Sequence, residues 1–512
     1  MSAKTTGFPT FAQFFRATHD GSEPHPWQQS LSDQVCDSGW PDSVSVPTGL
    51  GKTAAISVWL YELARQAATR VSPRRAPMRL FYVVNRRLVV DQGAAYAKGL
   101  QKALDQVDVD SDMRDVLDPV RQALLTLCPP GDTRPLLSAS IHGTDPDDTA
   151  WMRATGAVIV SLTPAQLVSR VLMRGYGVSA GTRSIHAGLT GIDRLILFDE
   201  PHLSMPAVNT LVEQERLAAS GESLGIPLGK TVLLGATISD QDRDLAPTDA
   251  DTLKFDVDQH LSSPAASRRL LASKSLRIEK LATTSDVALA NAAAKFVQAQ
   301  VAQGVERILV VLNTVAAAQR AFLKLQQAVA KKSPKTKIAL LTSRFRRSDR
   351  ASVELNEGPL ILVATQTIEV GVDLSFDAMF TEAPSFESLT QRLGRVNRDG
   401  LAAESHVVLA AQKGASGNGS FRVSKSTAHI YGEGPVLACL DLLERHRDPD
   451  GDVDVSPVAL MRMRDSVTDG SLDVAPERAA TLHSHLMPIM AQTRPTPRAD
   501  LPVEAFANGP DQ

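Results

Sequence analysis

The heptapeptide PTGLGKT at 47–53 constrains this chain more than any other stretch, because of what flanks it. VSVP at 44–47 reads as a short strand running in, and AAISVWLYELARQAA at 54–68 has helical apolar spacing with few breakers. Gly49 and Gly51 let the backbone curl closely around an anion. Lys52 supplies a cation for β- and γ-phosphates, and Thr53 a hydroxyl for a magnesium ion. A longer general form of this loop would have glycine at the place of Val46. The shorter form Thr48-Gly49-Leu50-Gly51-Lys52-Thr53 is intact, and these six residues are assigned to ATP with Mg2+.

A phosphate loop between strand and helix calls for a sheet around it. RLFYVVN at 79–85, AVIVSLT at 157–163, RLILFDE at 194–200 and KTVLLGAT at 230–237 supply short buried-strand patterns, and 94–127 reads as helical. Strands of this kind alternating with helices indicate an α/β domain with a parallel sheet and its ligand edge at the strands' C-terminal ends. The stretch 238–275 is acidic and turn-rich. A second α/β block starts near 276, with helix at 287–304 and strands at 307–313, 337–343, 359–374, 378–383 and 406–411. Beyond these, 412–427 is loop-like, 436–446 helical, and 447–512 only modestly periodic. A chain of 512 residues exceeds one growing core, which predicts two to four domains.

The strand RLILFDE runs into two carboxylates. A magnesium-bound triphosphate needs a carboxylate from a neighbouring strand end. Asp199 is placed to hold the metal, as Thr53 does, and Glu200 to orient or deprotonate the attacking water. No second His or Cys stands at ligand spacing from His202, so it is not a metal ligand. It can couple the phosphate site to the second block. Thr237 of GAT follows the next strand and is aimed toward Asp199 or His202. In PHPWQQ at 24–29, Gln28, with Gln29 as the alternative, can satisfy both donor and acceptor of an adenine edge, and Phe15 or Trp27 can pack near the base.

In the second block, QRLGRVNR at 391–398 spaces Arg392, Arg395 and Arg398 three apart, on one face of an expected helix. Three guanidiniums on one face call for an anion, and a γ-phosphate held by the first block would be one. Arg395 and Arg398 are assigned to it, Gln391 to the nucleotide or its water, and Arg392 to a bridge with Asp373 or Glu369. Gly371 and Asp373, in TQTIEVGVDL at 365–374, join the nucleotide-binding set. Loops after strands offer Arg86, Arg87, Ser161, Thr163, Asn313, Ser343, Arg344 and Thr365 to a nucleic-acid backbone, without sequence preference. The net charge of -3 excludes a globally basic binder, so any such contact rests on local groups such as SRFRRSDR at 343–350.

The order PTGLGKT, DEPH, GAT, TxxxExGxD, QRxGRxxR resembles superfamily 2 helicases over residues 20–400. WQQSL, FYVVNRRLVVDQ, SRVLMRGYGVS, HAGL and LTSRFRRSDR are similar to the helicase part of the CRISPR-associated helicase–nuclease of type I interference, nearest the variant with its nuclease after the helicase. HLMPIMAQTRPTP at 485–497 resembles the region following the helicase there. The resemblance implies two tandem RecA-like parallel-sheet domains with a C-terminal extension. We place the first at 1–250, a linker at 251–275, the second at 276–411 and an accessory region at 412–512. It further implies an ATP-dependent helicase moving 3′ to 5′ on single-stranded DNA, after a guide-RNA surveillance complex has opened an R-loop. The alternative is a DNA or RNA helicase of the superfamily outside CRISPR.

Two departures touch the motifs: Pro201 stands third in DEPH, and GAT lacks the first hydroxyl of S-A-T. A third is larger. The resembled nuclease needs an adjacent His-Asp pair among several metal ligands, and the one such pair is His19-Asp20, with no room before it for the remaining helices. His406, His429, His446, His483 and His485 are not followed by aspartate. The expectation is therefore no intrinsic metal-dependent nuclease, with that activity in a separate protein or a missing segment. Cys36, Cys128 and Cys439 are far apart and form no ligand cluster. Without a leader-like N-terminus or an 18-residue apolar run, the expected protein is a cytoplasmic monomer with no membrane partner.

Overall fold

The computed structural model describes residues 7–47, 49–71, 74–85, 87–106, 111–141, 149–220, 226–235, 251–329, 336–342, 358–369, 374–414, 420–474, 480–491 and 503–509. The chain forms two compact units, one of residues 1–256 with 476–512 and one of residues 257–475.

The first unit holds β1 (Ser43–Ser45), β2 (Arg79–Val84), β3 (Leu136–Ile141), β4 (Ala157–Leu162), β5 (Arg194–Asp199), β6 (Lys230–Gly235) and β7 (Thr252–Lys254). They make one parallel sheet in the order β3-β4-β2-β5-β6-β1-β7. Strands β2, β4 and β5 are buried along their whole length, as helix-covered parallel strands must be. Phe81, Val83, Val158, Val160, Ile196 and Phe198 form a core with helices Pro164–Val171 and Met205–Ala219.

The second unit holds β8 (Ser275–Leu281), β9 (Arg307–Val311), β10 (Lys337–Leu341), β11 (Leu360–Ala364), β12 (Ala378–Glu382), β13 (His406–Lys413), β14 (Phe421–Arg422) and β15 (Asp452–Asp454). The order is β10-β11-β9-β12-β13-β8-β15, with β14 beside β13. Only β14 and β15 pair antiparallel among the described strands. One face packs on helices Asp286–Ala302 and Val315–Val329, the other on Phe386–Leu393, Glu433–Arg445 and Pro457–Asp465. Two tandem RecA-like parallel sheets are thus present, as expected from the sequence.

The domain boundaries fall elsewhere than we placed them. Part of the expected linker, Thr252–Lys254, pairs with β1 as an edge strand of the first sheet, and helices Val257–Leu261 and Pro264–Leu270 belong to the second unit. The expected accessory region is divided. Residues up to 475 complete the second unit, while Leu482, Met490, Val503 and Phe506 are buried in the core of the first. Hydrogen bonds fix that return: Thr210 Oγ1 donates to Phe506 O at 2.9 Å, and Arg174 Nη1 to Met490 O at 2.7 Å. The helical stretch at 94–127 is two helices, Arg87–Asp105 and Ser111–Leu125. No helix among the described residues is long and apolar enough to cross a membrane.

Candidate nucleotide site

The phosphate loop lies at the C-terminal end of β1, where Val46 N–H donates to Gly235 O at the end of β6. Gly49 (φ 87°) and Gly51 (φ 71°) take the left-handed backbone that favours glycine. Lys52–Ala54 form a 3-10 turn leading into helix Ala55–Thr69. The loop is braced from behind. Trp27 Nε1 donates to Leu50 O at 2.9 Å, and Gln28 Nε2 to Gly51 O at 3.3 Å. Gln28 Oε1 meanwhile accepts from His25 N–H at 2.7 Å. Gln28 is only 2% exposed, so the amide assigned to adenine here holds protein backbone at both ends. Gln29 reaches Asp33, at 2.9 Å. Trp27 is buried against the loop, and Phe15 stacks on His19 with centroids 3.9 Å apart, so these two rings are core. Thr48 and Thr237 lie outside the described residues.

Beside the loop, β5 delivers the two acids into a buried corner. Glu200 adopts φ 53°, a left-handed conformation that strains a non-glycine residue, and its N–H donates to Leu234 O at 2.9 Å. Pro201 opens the 3-10 turn Pro201–Leu203, where a missing N–H is tolerated. Lys52 Nζ stands 2.5 Å from Glu200 Oε1 and 3.9 Å from Asp199 Oδ1. His202 Nδ1 is 3.7 Å from Glu200 Oε2. Burial pushes the Asp199 carboxyl above the usual range, against the pull of Lys52. Asp199 Oδ2 accepts from the Tyr82 hydroxyl at 2.8 Å, whereas Oδ1 is buried with no hydrogen-bond partner among the described residues. A buried carboxylate oxygen left open, near a hydroxyl and a lysine, fits a hard, oxygen-seeking cation such as magnesium. Tyr82 was not among the sequence candidates. A lone tyrosine in FYVV carries the signal of a core residue and nothing more.

The arginines of the second unit differ from expectation in one respect. Helix Phe386–Leu393 ends at Gly394, so only Arg392 is helical. The bridge between Phe376 and Val396 then draws the chain into a turn, and Arg395 and Arg398 sit in it rather than on one helix face. Arg392 is fully buried. Its guanidinium donates to Glu369 Oε1 (2.9 Å), Thr381 Oγ1 (2.8 Å), Glu382 O (2.9 Å), Asn313 Oδ1 (2.9 Å) and the Tyr431 hydroxyl (2.8 Å). The bridge to Glu369 was one of the two expected; Asp373, like Gly371, lies outside the described residues. Arg395 donates to Ile368 O at 3.1 Å and Glu369 O at 2.8 Å. Gln391 is buried on the same helix.

The candidates for nucleic-acid contact divide sharply. Ser161 is fully buried, one residue before the end of β4. Asn313 is buried and committed to Ala383 O, Thr427, Arg392 and Glu382. Thr365 is buried at the end of β11. The side chains of these three are buried, against the expected contact with a polymer: Ser161 lies inside β4, and Asn313 and Thr365 just past the ends of β9 and β11. Thr163 is half-buried at the start of helix Pro164–Val171, and its side chain makes no capping bond. Arg86, Ser343 and Arg344, and the side chain of Arg87, lie outside the described residues.

His19 donates or accepts at both ring nitrogens, with Phe15 O at 2.9 Å and the Tyr96 hydroxyl at 2.6 Å. Burial lowers its basicity. Such a ring has no nitrogen left for a metal. His483 and His485 are exposed and stack on one another.

Residues 304–401 match the family model for the C-terminal part of the CRISPR-associated nuclease/helicase Cas3. The CRISPR-associated helicase Cas3 of Thermoproteus tenax is 34% identical over 107 residues, 19% of this chain and 18% of that one. The CRISPR-associated nuclease/helicase Cas3 of Haloferax volcanii is 40% identical over 68 residues, 12% of this chain and 7% of that one. The crystal structure of T. fusca Cas3 with AMPPNP has the same fold, with a TM-score of 0.61 at 19% identity, covering 91% of this chain and 54% of that one. The DUF1998 helicase MrfA bound to DNA gives a TM-score of 0.52 at 16% identity, covering 91% and 62%. This chain therefore spans about half the length of the T. fusca protein, and the curated matches cover less than a fifth of their relatives. The likeness to CRISPR-associated helicases read from the motifs is borne out.

Proposed function

We propose that this chain, with its Cas3-type helicase fold, is an ATP-dependent translocase on single-stranded DNA, moving 3′ to 5′. It would act in type I CRISPR interference on DNA opened by a guide-RNA surveillance complex. The carrying observation is the buried corner in which Lys52 stands on Glu200 while Asp199 Oδ1 is left open. Lys52 exchanges Glu200 for the β- and γ-phosphates, which frees Glu200 to hold and deprotonate the attacking water. Thr53 and Asp199 are the residues that would hold magnesium, which when bound offsets charge on the phosphates. We assign Arg395 and Arg398 to the γ-phosphate. The DNA backbone meets Thr163 and the Arg86, Arg87, Ser343 and Arg344 loops. The nuclease of such a system would be supplied by a separate protein or a further segment.

The test is ATP turnover with single-stranded DNA and RNA compared side by side, and unwinding of duplexes tailed at one end. Stimulation by DNA and unwinding from a 3′ tail are expected. Glu200→Gln should still bind ATP but lose turnover by at least about 10²-fold. Stimulation by RNA alone would sink the CRISPR assignment in favour of a general helicase, and full turnover in E200Q would remove Glu200 from the chemistry.

A further inference from the structure

Tyr82 lies on β2, whose register places Val84 opposite Asp199 of β5. It is 1% exposed, and a phenol hydroxyl so deeply buried must be hydrogen-bonded to avoid a desolvation cost. A phenylalanine would fill the same volume without that demand. The ring is held tightly. A Cβ added at Gly93, on helix Arg87–Asp105, would lie 2.5 Å from Tyr82 Cδ1. The hydroxyl is thereby aimed at two residues already assigned to one cation: Asp199 Oδ2 at 2.8 Å and Thr53 Oγ1 at 3.4 Å.

The direction of these bonds follows from the groups. An ionised carboxylate only accepts, so the Tyr82 proton goes to Asp199. The Tyr82 oxygen is then an acceptor, and the proton between it and Thr53 comes from Thr53. Thr53 O–H to Tyr82, and Tyr82 O–H to Asp199, consumes one hydrogen of each hydroxyl. It leaves the Thr53 lone pairs and Asp199 Oδ1 open, two hard oxygens of the kind a magnesium ion takes beside water and phosphate. Outer groups of this kind orient the ligands of a metal.

We propose that Tyr82 is the positioning residue of the magnesium site, its hydroxyl setting the orientation of both Asp199 and Thr53. The proposal rests on the nucleotide reading above and deepens it. Tyr82→Phe preserves the ring in its cleft and removes the one oxygen. Calorimetric titration of nucleotide-bound protein with Mg2+, free of any turnover, should show affinity for the ion weaker by about 10–100-fold. Binding of ATP in chelator should match the parent, while the melting temperature should fall by the loss of one buried hydrogen bond. Unchanged magnesium affinity in a folded Y82F protein overturns the role of Tyr82 and leaves the nucleotide site standing. A parent protein with no magnesium-dependent nucleotide binding overturns both. Should Y82F fail to fold, 3-fluorotyrosine at position 82 gives the same decision in an unperturbed core. Its ¹⁹F resonance should move on adding Mg2+ with ATP but not on adding ATP in chelator, and a resonance indifferent to Mg2+ refutes the proposal.

Discussion

The acid corner of the first unit and the arginine cluster of the second both bury several charges, but they are finished differently. Arg392 uses every N–H of its guanidinium, and its partners Asn313, Thr381, Glu382 and Tyr431 are themselves buried. In the acid corner Asp199 keeps one oxygen open, Lys52 leans on an acid, and Glu200 is held in a strained backbone. A saturated buried charge specifies one arrangement of its neighbours. An unsaturated one has capacity left for a ligand. Both regions carry residues of the same motif set, so motif membership alone does not separate fold-making residues from reacting ones.

The largest effect should come from the two arginines outside the saturated network. Replacing Arg395 and Arg398 together by alanine should lower ATP turnover by about 10³-fold or more. Among the bonds lost in this structure are those to the backbone at Ile368 and Glu369, so urea-unfolding stability should fall by less than in Arg392→Ala, by about 1–2 kcal/mol. Turnover equal to the parent's would dissolve the contrast, since no arginine of the motif would then be chemical.

Arg392→Ala should produce the mirror image. It strands Glu369, Asn313 and the Glu382 carbonyl in the core and should cost about 3–5 kcal/mol of stability. Unfolding in urea followed by circular dichroism measures it. A protein as stable as the parent but without turnover would place Arg392 with Arg395 and Arg398 instead.

This contrast also marks what the sequence could and could not disclose. Strands such as RLILFD and LILVA are legible because a fully covered parallel strand must be an unbroken apolar run. The loop is legible because Gly49 and Gly51 occupy backbone conformations few other residues accept. Partners of Arg392 come from positions 10 to 79 residues away along the chain, which no spacing rule encodes. Ser161 and Thr163 are two residues apart, one fully buried and one half-exposed, and sequence alone does not say where a strand's burial stops. Leu482, Met490 and Phe506 pack on a surface that exists only once the first unit has folded, so their segment shows little periodicity of its own.

Lys274 tests the smallest and subtlest version of the same comparison. It is a buried cation in the second unit, but without the saturation of Arg392: its ammonium donates to Leu393 O at 2.9 Å, the last residue of helix Phe386–Leu393, and Arg398 faces it with like charge. The helix C-terminus favours a cation there. Burial outweighs this, and with Arg398 it brings the Lys274 ammonium down to about 7. The unfolded chain binds this proton more tightly, with an ordinary value of about 10.4. Stability contributed by Lys274 is therefore fully present above about 10.4 and lost as pH falls through 7. Lys274→Met removes the titration while keeping much of the volume. The stability of the variant relative to the parent should rise between pH 10 and pH 7, read by urea unfolding at each pH. A difference that stays constant across that range would mean that the ammonium is not desolvated, and that a single carbonyl compensates a buried cation as well as five partners do.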